Sequence, residues 1–164
     1  MLKHVVGFSG GIDSQACAAV ILDRYGPENV ILMNSDAGGN EHPLTGEFIE
    51  WYSSNVHPVV LVQALIKDLA DVGTRDGGTG ERRRQFAEDD LLTFDRLAFV
   101  KGIFPSRKAQ FCTEYLKLRP QQRWIFENLR DKGIDYVRYA GVRADESQDR
   151  AKLPGQGATD GLNR

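Results

Sequence analysis

Ser9-Gly10-Gly11-Ile12-Asp13-Ser14 puts two glycines, two hydroxyls and a carboxylate within six residues. Adjacent glycines let the backbone take positive φ and approach a ligand closely. Several N–H groups can then converge on one point, beside the positive end of a helix dipole. Such a nest binds phosphate or pyrophosphate. No Gly-Lys-Ser/Thr follows, so this is a different loop from the common P-loop. The third glycine of the dinucleotide fingerprint is also missing. Ser9, Gly10, Gly11, Asp13 and Ser14 are therefore candidate nucleotide-binding residues. The competing reading is a glycine turn capped by Asp13 or Ser14 that binds nothing.

Three further segments carry chemistry. Asp36, in Asn34-Ser35-Asp36, is placed to accept hydrogen bonds from a ribose or a base edge. Glu41-His42-Pro43 follows it and can also be read as a helix start. Arg143-Ala144-Asp145-Glu146-Ser147-Gln148-Asp149-Arg150 holds three acids and two arginines in eight residues. Arginine suits bidentate contacts with phosphate or sulfate oxygens. The acids can orient Arg143 and Arg150, or bind Mg²⁺ beside phosphates. A charged helix start with weak local ion pairs is the plainer alternative. Cys112 to Pro120 adds Lys117 and Arg119, either of which can neutralise ligand charge. Cys112 reads as the exposed cysteine of the two, and Cys17 as a core residue.

These segments need a scaffold, and the hydrophobic pattern supplies one. Val5 to Phe8, Val30 to Met33 and Val59 to Val62 are short apolar runs, the mark of buried strands. Ile134 to Ala140 reads as a fourth strand. Asp13 to Tyr25 reads as a helix stopped by Gly26-Pro27, and a second opens at Pro43 with Phe48, Ile49 and Tyr52 inward. Leu65, Ile66, Leu69 and Val72 recur at helical spacing. Helical segments are also expected over 88–101, 112–118 and 120–132. Thr74 to Arg84, with three glycines and Arg82-Arg83-Arg84, reads as a flexible basic loop, either a lid or a solvated surface. Strands alternating with helices predict an α/β doubly wound fold, Rossmann-like, with a mostly parallel sheet and helices on both faces. Ligands of such folds bind at the carboxyl ends of strands, near the topological switch. The loop after strand one, Asp36 after strand two and the Arg143 segment after strand four all fall on that edge.

The chain has 164 residues, 41% hydrophobic and 27% charged, which suits one packed domain. The expected division is a nucleotide-binding domain over 1–151 and a polar tail over 152–164, mobile by composition. A net charge of −2 makes no global case for nucleic-acid binding. Three loop arginines are more often a solvated patch than a nucleic-acid contact. No apolar run is long enough to span a bilayer, and the N-terminus lacks a signal-peptide layout. With only two cysteines, a disulfide framework is not expected and a reducing cytoplasm is the default.

Taken together, the segments resemble the phosphoadenosine-phosphosulfate (PAPS) reductase family, within the PP-loop ATP pyrophosphatase superfamily of adenine nucleotide alpha hydrolase-like fold. The resemblance rests on Ser9 to Ser14, on Asp36, Gly38 or Gly39, Glu41, Pro43 and Thr45, on Cys112, Lys117 and Pro120, and on Gly141, Arg143, Glu146, Ser147 and Arg150. It implies an adenine nucleotide site for ATP, adenosine phosphosulfate (APS) or PAPS, with Mg²⁺ if ATP is the ligand. Ser9, Gly10, Gly11, Asp13 and Ser14 would hold the phosphate or sulfate end, and Asp36 would lie near the adenosine. Lys117, Arg143 and Arg150 would contact anionic groups, with Glu146 orienting them. The implied reaction is sulfonucleotide reduction, or cleavage of ATP to AMP and pyrophosphate in adenylation or sulfur transfer. A thioredoxin-like reductant or another partner protein, and a homo-oligomer, fit the same picture. The chain departs from reductases in one respect: no cysteine follows Cys112. That departure keeps open a catalytically silent nucleotide-binding module that relies on a partner.

Overall fold

The computed structural model describes residues 2–38, 41–69, 77–104, 106 and 111–141. β1 (Lys3–Gly7) leads through the loop into α1 (Ile12–Tyr25). β2 (Val30–Asp36), α2 (Pro43–Asn55) and β3 (Val59–Gln63) follow, then a 3₁₀ turn at Ile66–Leu69. α3 (Gly77–Arg83) and α4 (Phe94–Lys101) precede a π-helical turn, Thr113–Leu118, which runs into α5 (Arg119–Asn128). β4 (Tyr136–Ala140) closes the described chain. The four strands form one all-parallel sheet in the order β3-β2-β1-β4, an α/β doubly wound fold as the pattern predicts. His4 to Gly7 pair with Val30 to Met33 on one side, and Lys3 to Gly7 pair with Tyr136 to Ala140 on the other.

The chain packs as two compact units. The first holds residues 1–34, 47–60 and 128–164, the second 35–46 and 61–127. In the first, Val6, Phe8, Ala18, Ile21, Leu32, Ile49 and Tyr52 make the core. α1 contributes Ala18 and Ile21, three positions apart and so on one helical face. Cys17 packs half-buried beside them, and burial pushes its thiol pKa up. In the second, Ala64, Ile66, Leu69, Leu92, Leu97, Val100 and Leu116 are buried together.

Three sequence expectations fail in the second unit. The basic loop expected over 74–84 is, from Gly77 to Arg83, the helix α3, packed on α4; residues 74–76 lie outside the described chain. Three glycines make it a poor helix by propensity. Its basic residues anchor it: Arg82 Nε donates to Val100 O at 3.1 Å, and Arg83 grips Glu88 at 2.6 and 2.8 Å. The helix expected from 88 begins only at Phe94, where the Thr93 hydroxyl caps it by accepting from Arg96 N. Before that, the chain is drawn into backbone bonds with the segment after β3: Ile66 N to Asp90 O and Leu92 N to Ala64 O, at 2.9 and 2.8 Å. The Leu65–Leu69 periodicity yields only the 3₁₀ turn, and Val72 lies outside the described residues.

That 3₁₀ turn carries a buried ion pair. The Asp68 side chain is 6% exposed and meets Arg123 of α5 at 2.5 Å. Its Oδ2 also accepts from Leu65 N at 2.8 Å, and Arg123 donates on to Gln63 O at 2.8 Å. Removing one partner strands a buried charge. Asp68→Ala is therefore expected to destabilise the protein by about 3 kcal/mol, read as a lower denaturation midpoint; an unchanged midpoint contradicts it.

At the start of β1, His4 is buried and stacks on Tyr25 with ring centroids 3.7 Å apart. Its Nδ1 lies 2.9 Å from the Tyr139 hydroxyl. Burial, with a hydrogen bond to Tyr25 that favours the protonated form, pushes the Tyr139 pKa up to about 12, so it stays a phenol. Burial also lowers the His4 pKa below its ordinary 6.5. The folded state thus favours neutral His4, and its contribution is complete above about pH 6.5 and lost as pH falls below it. Melting temperature should drop from pH 7.5 to pH 5, and His4→Phe should flatten that slope; equal slopes would refute the assignment.

Candidate functional site

β1 ends at Gly7 and the ladder with β2 continues one step, Phe8 N donating to Met33 O at 2.8 Å. Asn34 ties down the same strand end through Nδ2 to Phe8 O at 2.8 Å. The chain then turns. Gly10 has φ +79°, and a Cβ there would sit 3.3 Å from the Phe48 ring. Any side chain would be strained by the backbone and crowded by the ring, so glycine is required. Gly11 returns to extended backbone and is the N-cap of α1 without a side-chain cap of its own.

The loop is braced from within by Ser14. Its buried hydroxyl donates to Gly11 O at 2.8 Å and accepts from Ser9 N and Ser9 Oγ, both at 3.2 Å. That uses its one proton and both lone pairs. Gln15 adds a bond from Nε2 to Gly10 O at 2.8 Å. The serine and glutamine side chains thus hold the turn, leaving the exposed apex at Ser9, Gly11 and Ile12 over the first turn of α1. Asp13 lies in that turn.

Strand order identifies where this loop stands. From β1 the chain moves outward through β2 and β3, then reappears as β4 on the other edge of β1. The direction reverses between β1 and β4, and both strands point their carboxyl ends the same way. Ligands of doubly wound sheets bind in the crevice at such a point. Gly141, the first residue after β4, passes hard against the start of α1: a Cβ on it would overlap the Asp13 carbonyl and stand 2.9 Å from Ser14 N. Gly141 is thus a contact glycine, part of the resemblance motif whose structural reason the sequence did not reveal. Arg143, Glu146 and Arg150 follow it and lie outside the described residues.

The second unit holds the other two sequence candidates. Asp36 Oδ1 accepts from Gly38 N at 2.9 Å, and Oδ2 accepts from Gln63 Nε2 at 3.1 Å. The carboxylate is thereby oriented at the end of β2. Lys117 sits in the π-helical turn, and its Nζ is 2.9 Å from Glu41 Oε1. Ser35 Oγ donates to the Lys117 carbonyl at 3.0 Å. Arg119, the other candidate cation, bonds Glu114 at 2.6 Å and Asp68 O at 3.0 Å, and its guanidinium lies 4.1 Å from the Tyr115 ring centre. Cys112, expected to be exposed, is half-buried against the second core beside Phe111. The pairing of Glu41 with Lys117 was not legible from spacing, because it joins residues 76 positions apart. Among the described residues, no helix is long and apolar enough to cross a membrane.

No family model matches the chain. It is similar to an uncharacterised 37.8 kDa protein in the gpa 5′ region of Escherichia phage 186, with 28% identity over 171 residues covering 92% of this chain and 50% of the phage protein. The chain therefore spans about half the length of that curated relative.

The Gly141 contact gives a direct test of this geometry. Gly141→Val should force the β4 end and the α1 start apart, lowering stability by about 1–3 kcal/mol. Gly46→Val, at an open position with nothing near its Cβ, is the control and should change stability far less. Equal melting temperatures for Gly141→Val and wild type would refute the close approach.

Proposed function

We propose that this chain is an adenine nucleotide-binding protein of PP-loop type, similar to the PAPS reductase family, acting on a nucleotide whose anionic tail sits on the Ser9–Ser14 loop. The observation that carries the reading is the loop's place: a positive-φ glycine turn feeding α1 at the β1/β4 switch point, with Gly141 closed onto it. Backbone N–H groups at the helix start supply donors without a counter-charge, which suits phosphate or sulfate. Such donors are fixed before the ligand arrives. They would stabilise charge that grows on departing pyrophosphate, or on the nucleotide phosphate as its bond to sulfur breaks, without reorganising.

In this reading Ser9, Gly10, Gly11, Asp13 and Ser14 form the cradle, with Ser14 bracing it. Asp36 accepts from the adenosine, and Lys117, Arg143 and Arg150 neutralise the tail, with Glu146 orienting the arginines. With ATP as ligand, Asp145, Glu146 or Asp149 would hold a Mg²⁺ ion, which would supply Lewis-acid polarisation. Cleavage then falls between the α and β phosphates. With APS or PAPS, a thiol must attack sulfur, and none follows Cys112 in these 164 residues. A thioredoxin-like protein, another partner or further sequence would supply it, taking the sulfonate as the nucleotide phosphate leaves.

Calorimetric titration with Mg-ATP, APS and PAPS tests the proposal, using Gly11→Asp as the comparison. Gly11 has φ −74° and room for a side chain, and aspartate is a favoured N-cap, so the variant should fold at least as stably. Its carboxylate would repel the anion at the helix start, and affinity should fall by about tenfold or more. Heat from none of the three ligands, or equal affinity in the variant, would sink the reading.

A further inference from the structure

Two chemistry-bearing segments of the sequence meet at one side-chain pair. Lys117 Nζ and Glu41 Oε1 are 2.9 Å apart. The backbone beneath Lys117 is secured separately: Ser35 Oγ donates to its carbonyl, and Gln121 Nε2 donates to Ser35 Oγ at 2.9 Å. Ser35 itself is buried. The residue lies in a π-helical turn, a local widening of the helix found mostly where a side chain has a task. Lys117 therefore has an anchored base and a tip held by Glu41.

The other cations nearby are tied differently. Arg123 is locked to the buried Asp68, and Arg119 is split between Glu114 and a backbone carbonyl. Lys117 and Glu41 are 44% and 30% exposed in their side chains. Water screens such a pair, and its net contribution is small. A phosphate, pyrophosphate or sulfate group brings more charge and several acceptor oxygens, and so outcompetes one carboxylate oxygen. A chloride or a simple carboxylate does not.

We propose that Glu41 is a gate on Lys117: it keeps the ammonium neutralised and positioned until a multiply charged oxyanion takes it over. Glu41 is thus a positioning residue that acts through Lys117. The proposal rests on reading Lys117 as an oxyanion contact, and it adds the residue that sets which anions can claim it. Because the anion must displace Glu41, removing that carboxylate should tighten binding rather than weaken it.

The test titrates inorganic pyrophosphate and, separately, sulfate into the full chain as wild type, Glu41→Gln, Glu41→Ala, Lys117→Gln and the Glu41→Gln/Lys117→Gln double variant. Pyrophosphate affinity should rise roughly two- to fivefold in both Glu41 variants, the size of an exposed ion pair. The gain should vanish in the double variant. Amine labelling with trinitrobenzenesulfonate, mapped by mass spectrometry, supplies a readout that a purely structural role would not move. Lys117 should label faster in Glu41→Gln and become protected by pyrophosphate in wild type. Unchanged or weaker pyrophosphate binding in both Glu41 variants, a gain that survives Lys117→Gln, or wild-type labelling indifferent to pyrophosphate would each overturn the gate. The two readings fail separately. Nucleotide binding that responds to Gly11→Asp but not to Glu41→Gln removes the gate and leaves the nucleotide site. A pyrophosphate gain with Lys117 protection, but no nucleotide binding, removes the nucleotide reading and leaves the gate.

Discussion

Parallel pairing of β1 along both edges is the constraint on which the candidate site depends. A parallel strand cannot be reached by a tight turn, so each neighbour of β1 arrives after a long crossover. One crossover, α1, must leave from the β1 end itself, and this puts a helix N-terminus at the sheet's carboxyl edge. β2 and β4 lie on opposite sides of β1. The loop therefore stands at the edge where ligands of doubly wound sheets generally bind. Gly10 and Gly141 serve that geometry in different ways. Gly10 supplies the turn's positive φ, whereas Gly141 lets the end of β4 pass close to the first turn of α1.

Much of this architecture was legible because it is local. Val5-Val6-Gly7-Phe8 and Val30 to Met33 are continuous apolar runs, and a strand buried on both faces has no other sequence form. Pro43 set the start of α2, and Gly26-Pro27 set the end of α1. Ile49 and Tyr52 lie inward because a three-residue spacing keeps one helical face. The glycine turn before α1 was legible for a related reason: Ser9, Gly10, Gly11 and Ser14 lie within six residues and brace one another locally.

What the pattern missed depends on partners far away in sequence. Glycines and arginines over 77–83 look like a solvated loop until Arg82 meets Val100 O and Arg83 meets Glu88. Residues 88–92 have helical composition, but their backbone is claimed by Ala64 to Lys67, and the helix waits for the Thr93 cap. Short-range propensity, a few tenths of a kcal/mol per residue, yields to such bonds. The same limit hid Asp68. Nothing in the sequence around Leu65, Ile66 and Leu69 marks it, yet it is the buried partner that fixes α5 to the segment after β3.

Burial also separates a locked ion pair from an exchangeable one better than residue type does. Arg123 and Lys117 both face a carboxylate across the second unit. Asp68 is almost withdrawn from water, so an approaching anion would have to compete with a pair whose separation exposes an unsolvated charge. Glu41 keeps its contact with water, so its loss is compensated by hydration as Lys117 leaves. Arginine's rigid fork suits the first task, since it spans Asp68 and Gln63 O at once. Lysine's compact, rotatable ammonium suits the second, since it can change partners without moving the helix that bears it. Ser35 strengthens the distinction by fastening the Lys117 backbone from below. The backbone of the turn is fastened, while the charge it carries stays half-exposed and free to exchange partners.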